Sequence, residues 1–121
     1  MKKILIVDDE FEIRRLVDMT LRIEDYQILQ AESGEQAIEI VKAEKPDLII
    51  MDIMMQGEMD GLKATRILKN DPETKGCPII MLTSKGQSYE REEGLAAGAD
   101  DYFTKPFSPL ALINKVAELI G

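Results

Sequence analysis

Pro46-Asp47-Leu48-Ile49-Ile50-Met51-Asp52 decides the fold. Leu48 to Met51 are four consecutive apolar residues with no polar alternation. That pattern suits a strand buried on both faces, as in a parallel sheet covered by helices. Pro46 punctuates its start. The run stops on a carboxylate, Asp52, which falls at the carboxyl end of a central strand. Open α/β sheets place their ligand chemistry at that edge.

Working outward, Ile4-Leu5-Ile6-Val7 is a second apolar strand ending on carboxylates, Asp8 and Asp9. Ile13, Leu16, Val17, Thr20 and Leu21 recur at the spacing of one helix face. Tyr26 to Ala31 is a short strand. Ser33, with Gln36 three residues on, resembles a capping box. The helix it opens turns Ala37, Ile38 and Val41 inward and ends before Pro46. Beyond Asp52, residues 53 to 60 form a loop. A helix follows over Leu62 to Leu68 and fades at Asn70-Asp71-Pro72. Pro78 to Leu82 is the fourth strand, closing on Thr83-Ser84, and residues 85 to 88 are polar loop.

Tyr89 to Ala97 predicts a weak helix, poor in large apolar residues. Gly94 within it costs about 1 kcal/mol relative to Ala, and Gly98 reads as its C-cap. Asp101 to Thr104 is the last strand, ending on Lys105-Pro106. Ser108 as N-cap and Pro109 at the first helical position open a final helix. Its buried stripe is Leu112, Ile113, Val116, Ala117 and Ile120. Strand and helix alternate five times over residues 1–121. The expectation is one α/β domain, a doubly wound five-stranded parallel sheet with right-handed crossovers.

Composition removes several function classes. Fifteen basic and twenty-three acidic residues give a net charge of −8. Such a chain repels a duplex or a membrane surface unless it carries a basic patch, and none is visible. The absence of histidine and the single cysteine exclude Ser/His/Asp and Cys/His nucleophile pairs and an ordinary zinc site. Cys77 reads as a small half-buried residue. One cysteine forms no disulfide within the chain, which fits a reducing, cytoplasmic setting. Asp8-Asp9-Glu10 cuts the first apolar run too short for a signal peptide, and no run approaches membrane-spanning length.

The strand ends supply a constellation: Asp8 and Asp9, then Asp52, Thr83 and Lys105. Two carboxylates about 4 Å apart repel by roughly 4 kcal/mol at an effective dielectric near 20. Three in one pocket approach roughly 10 kcal/mol on the same scale. Protonation, the Lys105 ammonium or a divalent cation must offset that repulsion. Mg²⁺ suits oxygen ligands and keeps waters while using one or two carboxylates. A hard cation, an ammonium and a hydroxyl together suit phosphoryl oxygens, and a carboxylate among them can attack phosphorus.

Val7-Asp8-Asp9, Met51-Asp52-Ile53-Met54-Met55, Asp60-Gly61, Leu82-Thr83-Ser84, Gly98-Ala99-Asp100-Asp101-Tyr102 and Lys105-Pro106-Phe107, in that order, resemble the receiver domain of two-component response regulators. The resemblance spans the whole chain. It implies the flavodoxin-like strand order 2-1-3-4-5. It implies Asp52 as phosphoacceptor, and Mg²⁺ held by Asp9, Asp52 and the Met54 backbone carbonyl, with Asp8 acting through water. Thr83 and Lys105 would meet phosphoryl oxygens, Tyr102 would be an aromatic switch residue, and the Lys105–Pro106 bond would be cis. The donor would be a histidine kinase or a histidine phosphotransfer protein, since this chain has no histidine, or a small acyl-phosphate-like molecule. The product would be a signalling phosphoprotein that catalyses its own phosphorylation and dephosphorylation rather than a metabolic enzyme. It would act on a downstream protein target or an output domain, or form a phosphorylation-dependent homodimer, without contacting nucleic acid or membrane directly. No output domain follows Gly121, which fits either a stand-alone receiver or a piece of a larger regulator.

One departure stands out. The family usually has Met-Pro and one residue fewer between the acceptor and Asp60-Gly61. Here Gln56 replaces that proline and Gly57-Glu58 lengthens the loop. A more mobile loop is expected, with Glu58 adding charge near the site.

Three other readings compete. An aspartate-nucleophile phosphatase of the haloacid-dehalogenase type wants Asp-x-Asp after its first strand, whereas Asp8 and Asp9 are adjacent. A flavodoxin-like protein holding FMN wants a Ser/Thr/Gly-rich phosphate loop, whereas Asp8-Asp9-Glu10 repels phosphate without a metal. A receiver-like scaffold that is never phosphorylated has no need for the full set of site residues.

Overall fold

The computed structural model describes residues 1–84 and 88–121, apart from the side chains at 84, 88 and 89. Five strands alternate with five helices. The strands are β1 (Lys3–Val7), β2 (Gln27–Ala31), β3 (Leu48–Asp52), β4 (Ile79–Ser84) and β5 (Asp101–Lys105). The helices are α1 (Phe11–Leu21), α2 (Gly34–Glu44), α3 (Gly61–Asn70), α4 (Ser88–Ala97) and α5 (Pro109–Ile120). All neighbouring strands pair in parallel, in the order β2-β1-β3-β4-β5. This is the flavodoxin-like α/β arrangement that the strand pattern and the resemblance predict.

The unbroken apolar runs explain the layering. In β3 every residue is buried, because alternate side chains enter two separate cores. Ile49 and Met51 join Ala37, Val41, Ala64 and Leu68 on the α2 and α3 side. Leu48 and Ile50 join Val17, Leu21, Leu112 and Val116 on the α1 and α5 side. The register places Val7 beside Met51 and Asp52 beside Leu82. Asp8 and Asp52 therefore leave neighbouring strands at the same edge.

Helix ends follow their local chemistry. The Ser33 hydroxyl accepts from the Gln36 N–H at 3.1 Å, and the Gln36 side chain accepts from the Glu32 N–H at 2.7 Å. Asp60 caps α3 by accepting from the Lys63 N–H at 2.9 Å. Ser108 caps α5, accepting from the Ala111 N–H. Gly98, at φ +112°, closes α4 in a Schellman turn. Its N–H donates to the Leu95 carbonyl, and the Ala99 N–H to the Gly94 carbonyl. The Lys105–Pro106 peptide is cis.

Two helix faces differ from the sequence expectation. On α1 the buried positions are Arg14, Val17 and Leu21, while Leu16 is 50% exposed. The helix is rotated because the Arg14 guanidinium finds a buried carbonyl partner. On α5, Ala117 faces solvent and Leu119 packs on the core instead, since the larger side chain gains more from burial. The weak helix α4 starts at Ser88, one residue before the expected Tyr89. Among its described side chains the buried positions are Glu90, Gly94 and Ala97, and Leu95 is exposed. Of the polar loop expected at 85–88, residues 85–87 lie outside the described residues and Ser88 belongs to α4. No helix among the described residues is long and apolar enough to cross a membrane.

Candidate functional site

The carboxyl ends of β1, β3 and β5 converge on one ammonium. Lys105 Nζ lies 2.9 Å from Asp52 Oδ1 and 3.1 Å from Asp8 Oδ2. Asp8 is fully buried and Asp52 is 3% exposed. The other oxygen of Asp8 accepts from the Glu10 N–H at 2.9 Å. Its backbone carbonyl accepts from Arg14 Nη1 at 2.8 Å. Arg14 is thus a positioning residue. It also donates to the Gln30 side chain and lies over the Phe11 ring, holding the turn that carries Asp8 and Asp9.

Burial governs the electrostatics here. It pushes the Asp52 carboxyl up from 3.8 to about 7, against the opposing pull of Lys105. The Asp8 carboxyl is raised as well, chiefly by burial, although the Glu10 N–H and Lys105 oppose it. For Lys105, burial alone would lower the pKa. Asp52 and Asp8 override it and hold the ammonium above its ordinary value. An ion pair at 2.9 Å therefore secures the lysine's charge but does not make Asp52 an ordinary carboxylate.

Asp9 stands beside this pair. Asp8, Asp9 and Glu10 each offer a carboxylate oxygen, all within 4.8 Å of one another. Asp9 Oδ2 accepts from the Gln56 N–H at 3.1 Å. If Asp8, Asp9 and Asp52 are all ionised, one ammonium leaves two negative charges unbalanced. An all-oxygen donor set with that deficit fits a hard divalent cation.

The remaining candidates sit apart from the ion pair. Thr83 is buried at the end of β4, and its hydroxyl donates to the Phe103 carbonyl at 3.4 Å. The Met54 side chain is exposed. Tyr102 packs on the α2 and α3 side of the sheet, with the Arg91 guanidinium of α4 5.2 Å from its ring centre. Phe103, its neighbour along the strand, faces the opposite core. Cys77 is half-buried, and burial pushes its thiol up to about 11, so it takes no part in the chemistry.

Sequence reasoning missed Arg14, the Glu10 N–H and the Gln56 N–H. Arg14 had a signal, since it extends the buried Val17 and Leu21 spacing by three residues. The two backbone donors had none.

A family model described as the response regulator receiver domain matches residues 4–117. The phosphate regulon transcriptional regulatory protein PhoB of Pseudomonas aeruginosa is 44% identical over 119 residues, covering 98% of this chain and 52% of that protein. The transcriptional regulatory protein ResD of Bacillus subtilis is 47% identical over 118 residues, covering 98% and 48%. The chain spans about half the length of these curated relatives. Among solved structures, the Vibrio cholerae chemotaxis protein CheY4 superposes with a TM-score of 0.88 at 32% identity, over 98% of each chain.

Proposed function

We propose, for a chain that belongs to the response regulator receiver domain family, that Asp52 is the residue through which it accepts a phosphoryl group. The family makes it a phosphoacceptor of two-component signalling, served by a histidine kinase, rather than a metabolic enzyme. The observation that carries the assignment is the buried Asp52 carboxylate, 2.9 Å from Lys105 at the carboxyl edge of the sheet. An Asp52 oxygen attacks the phosphorus of a phosphohistidine or an acyl phosphate. The bond from phosphorus to the donor's nitrogen or oxygen breaks, leaving an aspartyl phosphate. Lys105 neutralises charge developing on a phosphoryl oxygen. Thr83 exchanges the Phe103 carbonyl for another.

Asp9, Asp52 and the Met54 carbonyl would hold Mg²⁺ directly, with Asp8 acting through water. Once bound, the ion would supply neutralisation of the phosphoryl oxygens. Only ionised Asp52 attacks, so Lys105 and the cation also serve to keep its proton off. Incubation with acetyl phosphate and Mg²⁺ should add about one phosphate to the intact mass, and Asp52→Asn should stay unlabelled. Labelling of Asp52→Asn at the wild-type rate would overturn the assignment, and a wild type that takes no label would favour the scaffold reading.

The signal leaves by the α4, β5 and α5 face. Among the described side chains of α4, the buried line is Glu90, Gly94 and Ala97, none of them a large apolar anchor. Elements held by few apolar contacts shift at low cost. Thr83 moves toward the phosphoryl group, and Tyr102 leaves Arg91 to turn inward. The remodelled face then binds a downstream protein, an attached output domain or a second copy. A few kcal/mol of preference for that state is enough. Amide exchange with and without beryllofluoride should change mainly between residues 83 and 108. Changes confined to 53–60 would place the exit at that loop instead. The charge of −8 supports the reading that this stretch does not contact nucleic acid directly. The relatives named above are transcriptional regulators about twice its length, so the output of the whole protein is a separate question.

A further inference from the structure

We infer that the backbone N–H of Gln56 is a positioning group for cation binding at Asp9. The inference rests on the reading of Asp9 as a cation ligand. Gln56 N donates to Asp9 Oδ2 at 3.1 Å, across 47 residues of sequence. It ties the loop after β3 to the turn after β1, so the two strand ends that frame the site are joined by one bond.

Gln56 stands where the family pattern usually has proline. Proline has no N–H and cannot make this bond. The chain thus departs from the pattern at a backbone atom that contacts Asp9. The loop is longer by a residue, and Gln56, Gly57 and Glu58 are all exposed. A proline would stiffen such a loop through its ring. In this chain the loop is fastened to Asp9 instead.

The chemistry favours a positioning role over a competing one. An ionised carboxylate offers about four lone-pair sites. One N–H on Oδ2 leaves the remaining sites to a cation. The bond restricts rotation of the Asp9 side chain. It also holds the loop two residues from Met54, whose carbonyl is a proposed ligand. Asp8 is held in the same manner by the Glu10 N–H. Each carboxylate of the Asp8-Asp9 pair therefore carries one backbone donor, and the cation meets oxygens that are already oriented.

The test is calorimetric titration of the protein with magnesium chloride, in wild type, Gln56→Pro, Gln56→Ala and Asp9→Ala. Partners that orient a metal ligand from outside the coordination sphere typically contribute tenfold or more in affinity. Gln56→Pro is expected to weaken Mg²⁺ binding about tenfold, while Gln56→Ala, which keeps the N–H, stays within about twofold of wild type. Wild-type affinity in Gln56→Pro overturns the inference. So does an alanine variant as weak as the proline variant, because the side chain rather than the N–H would then matter. Asp9→Ala separates the two levels of the argument. If it binds Mg²⁺ like wild type, the assignment of Asp9 as a ligand fails. If it binds weakly while Gln56→Pro binds normally, only the role of Gln56 fails. Should Gln56→Pro lose its circular dichroism, amide exchange at residue 56 in metal-free protein decides. Exchange several-fold faster in Asp9→Ala than in wild type supports the bond, and equal rates overturn it.

Discussion

Asp52→Asn should make the metal-free protein more stable at pH 8, by about 2–4 kcal/mol. The sign follows from the carboxyl's position in the fold. Burial raises the Asp52 pKa from 3.8 to about 7. Between those values the folded chain keeps a proton that the unfolded chain has released. The contribution of Asp52 to stability is therefore fully present below about pH 4 and is lost as pH rises through about 7. The full displacement corresponds to on the order of 4 kcal/mol. The variant forgoes the Asp52–Lys105 charge pair, which lowers the expected gain, but Lys105 retains Asp8 at 3.1 Å. Asparagine matches aspartate in size and carries no proton to lose. Urea melts with a chelator present should show the gap at pH 8 closing as pH falls toward 4. Mg²⁺ should narrow it from the other side, because a ligand of the folded state stabilises only the chain that binds it. Wild type as stable as Asp52→Asn at pH 8, without metal, would mean that Lys105 fully compensates the buried charge.

The same carboxylate shows why so much of this fold was legible in the sequence. Leu48 to Met51 and Ile4 to Val7 are apolar without interruption, and only a strand covered on both faces uses such runs. Each stops on an aspartate because the sheet's carboxyl edge is where the chain leaves the core. Five repeats of strand and helix then leave few topologies open. Helix faces were less legible. Around α1, Phe11, Ile13, Leu16, Val17, Met19 and Leu21 point in most directions, so apolar spacing alone does not select the buried stripe. Arg14 selects it, through a carbonyl bond that no pattern of residue types encodes. The missing proline predicts a looser loop at 53–60. Its tie to Asp9 is a backbone bond, which sequence does not display. Tyr102 stands three residues before Lys105 on β5, so strand alternation alone puts it off the site's face. Its partner Arg91 has no such signal, because stacking across two elements depends on where α4 rests.

Gly61→Ala should cost about 3 kcal/mol or more and disable the acceptor at the same time. The backbone at Gly61 needs no unusual φ; what it needs is room. A Cβ there would overlap the carbonyl oxygen of Asp52 itself. It would also lie 2.8 Å from that residue's carbonyl carbon and 2.9 Å from Ile53 Cα. These are backbone atoms of the last residue of β3 and of the buried residue after it, so no side-chain rotation relieves the overlap. The close approach has a purpose in the fold. The Gly61 N–H donates to the Ile53 carbonyl at 2.9 Å, which seats the start of α3 against the end of β3. Asp60 caps the same turn. Any shift that admits the methyl group must move Asp52, α3 or both. Gly94→Ala is the control. Its Cβ would meet Met81 Cγ at 3.4 Å, an ordinary contact with a side chain. In a helix interior, alanine is favoured over glycine by about 1 kcal/mol. Urea midpoints should therefore move in opposite directions, down for Gly61→Ala and level or up for Gly94→Ala. Acetyl phosphate labelling should fall in the first and persist in the second. A Gly61→Ala chain that melts within about 1 kcal/mol of wild type and labels normally would show that β3 yields where its packing says it is fixed.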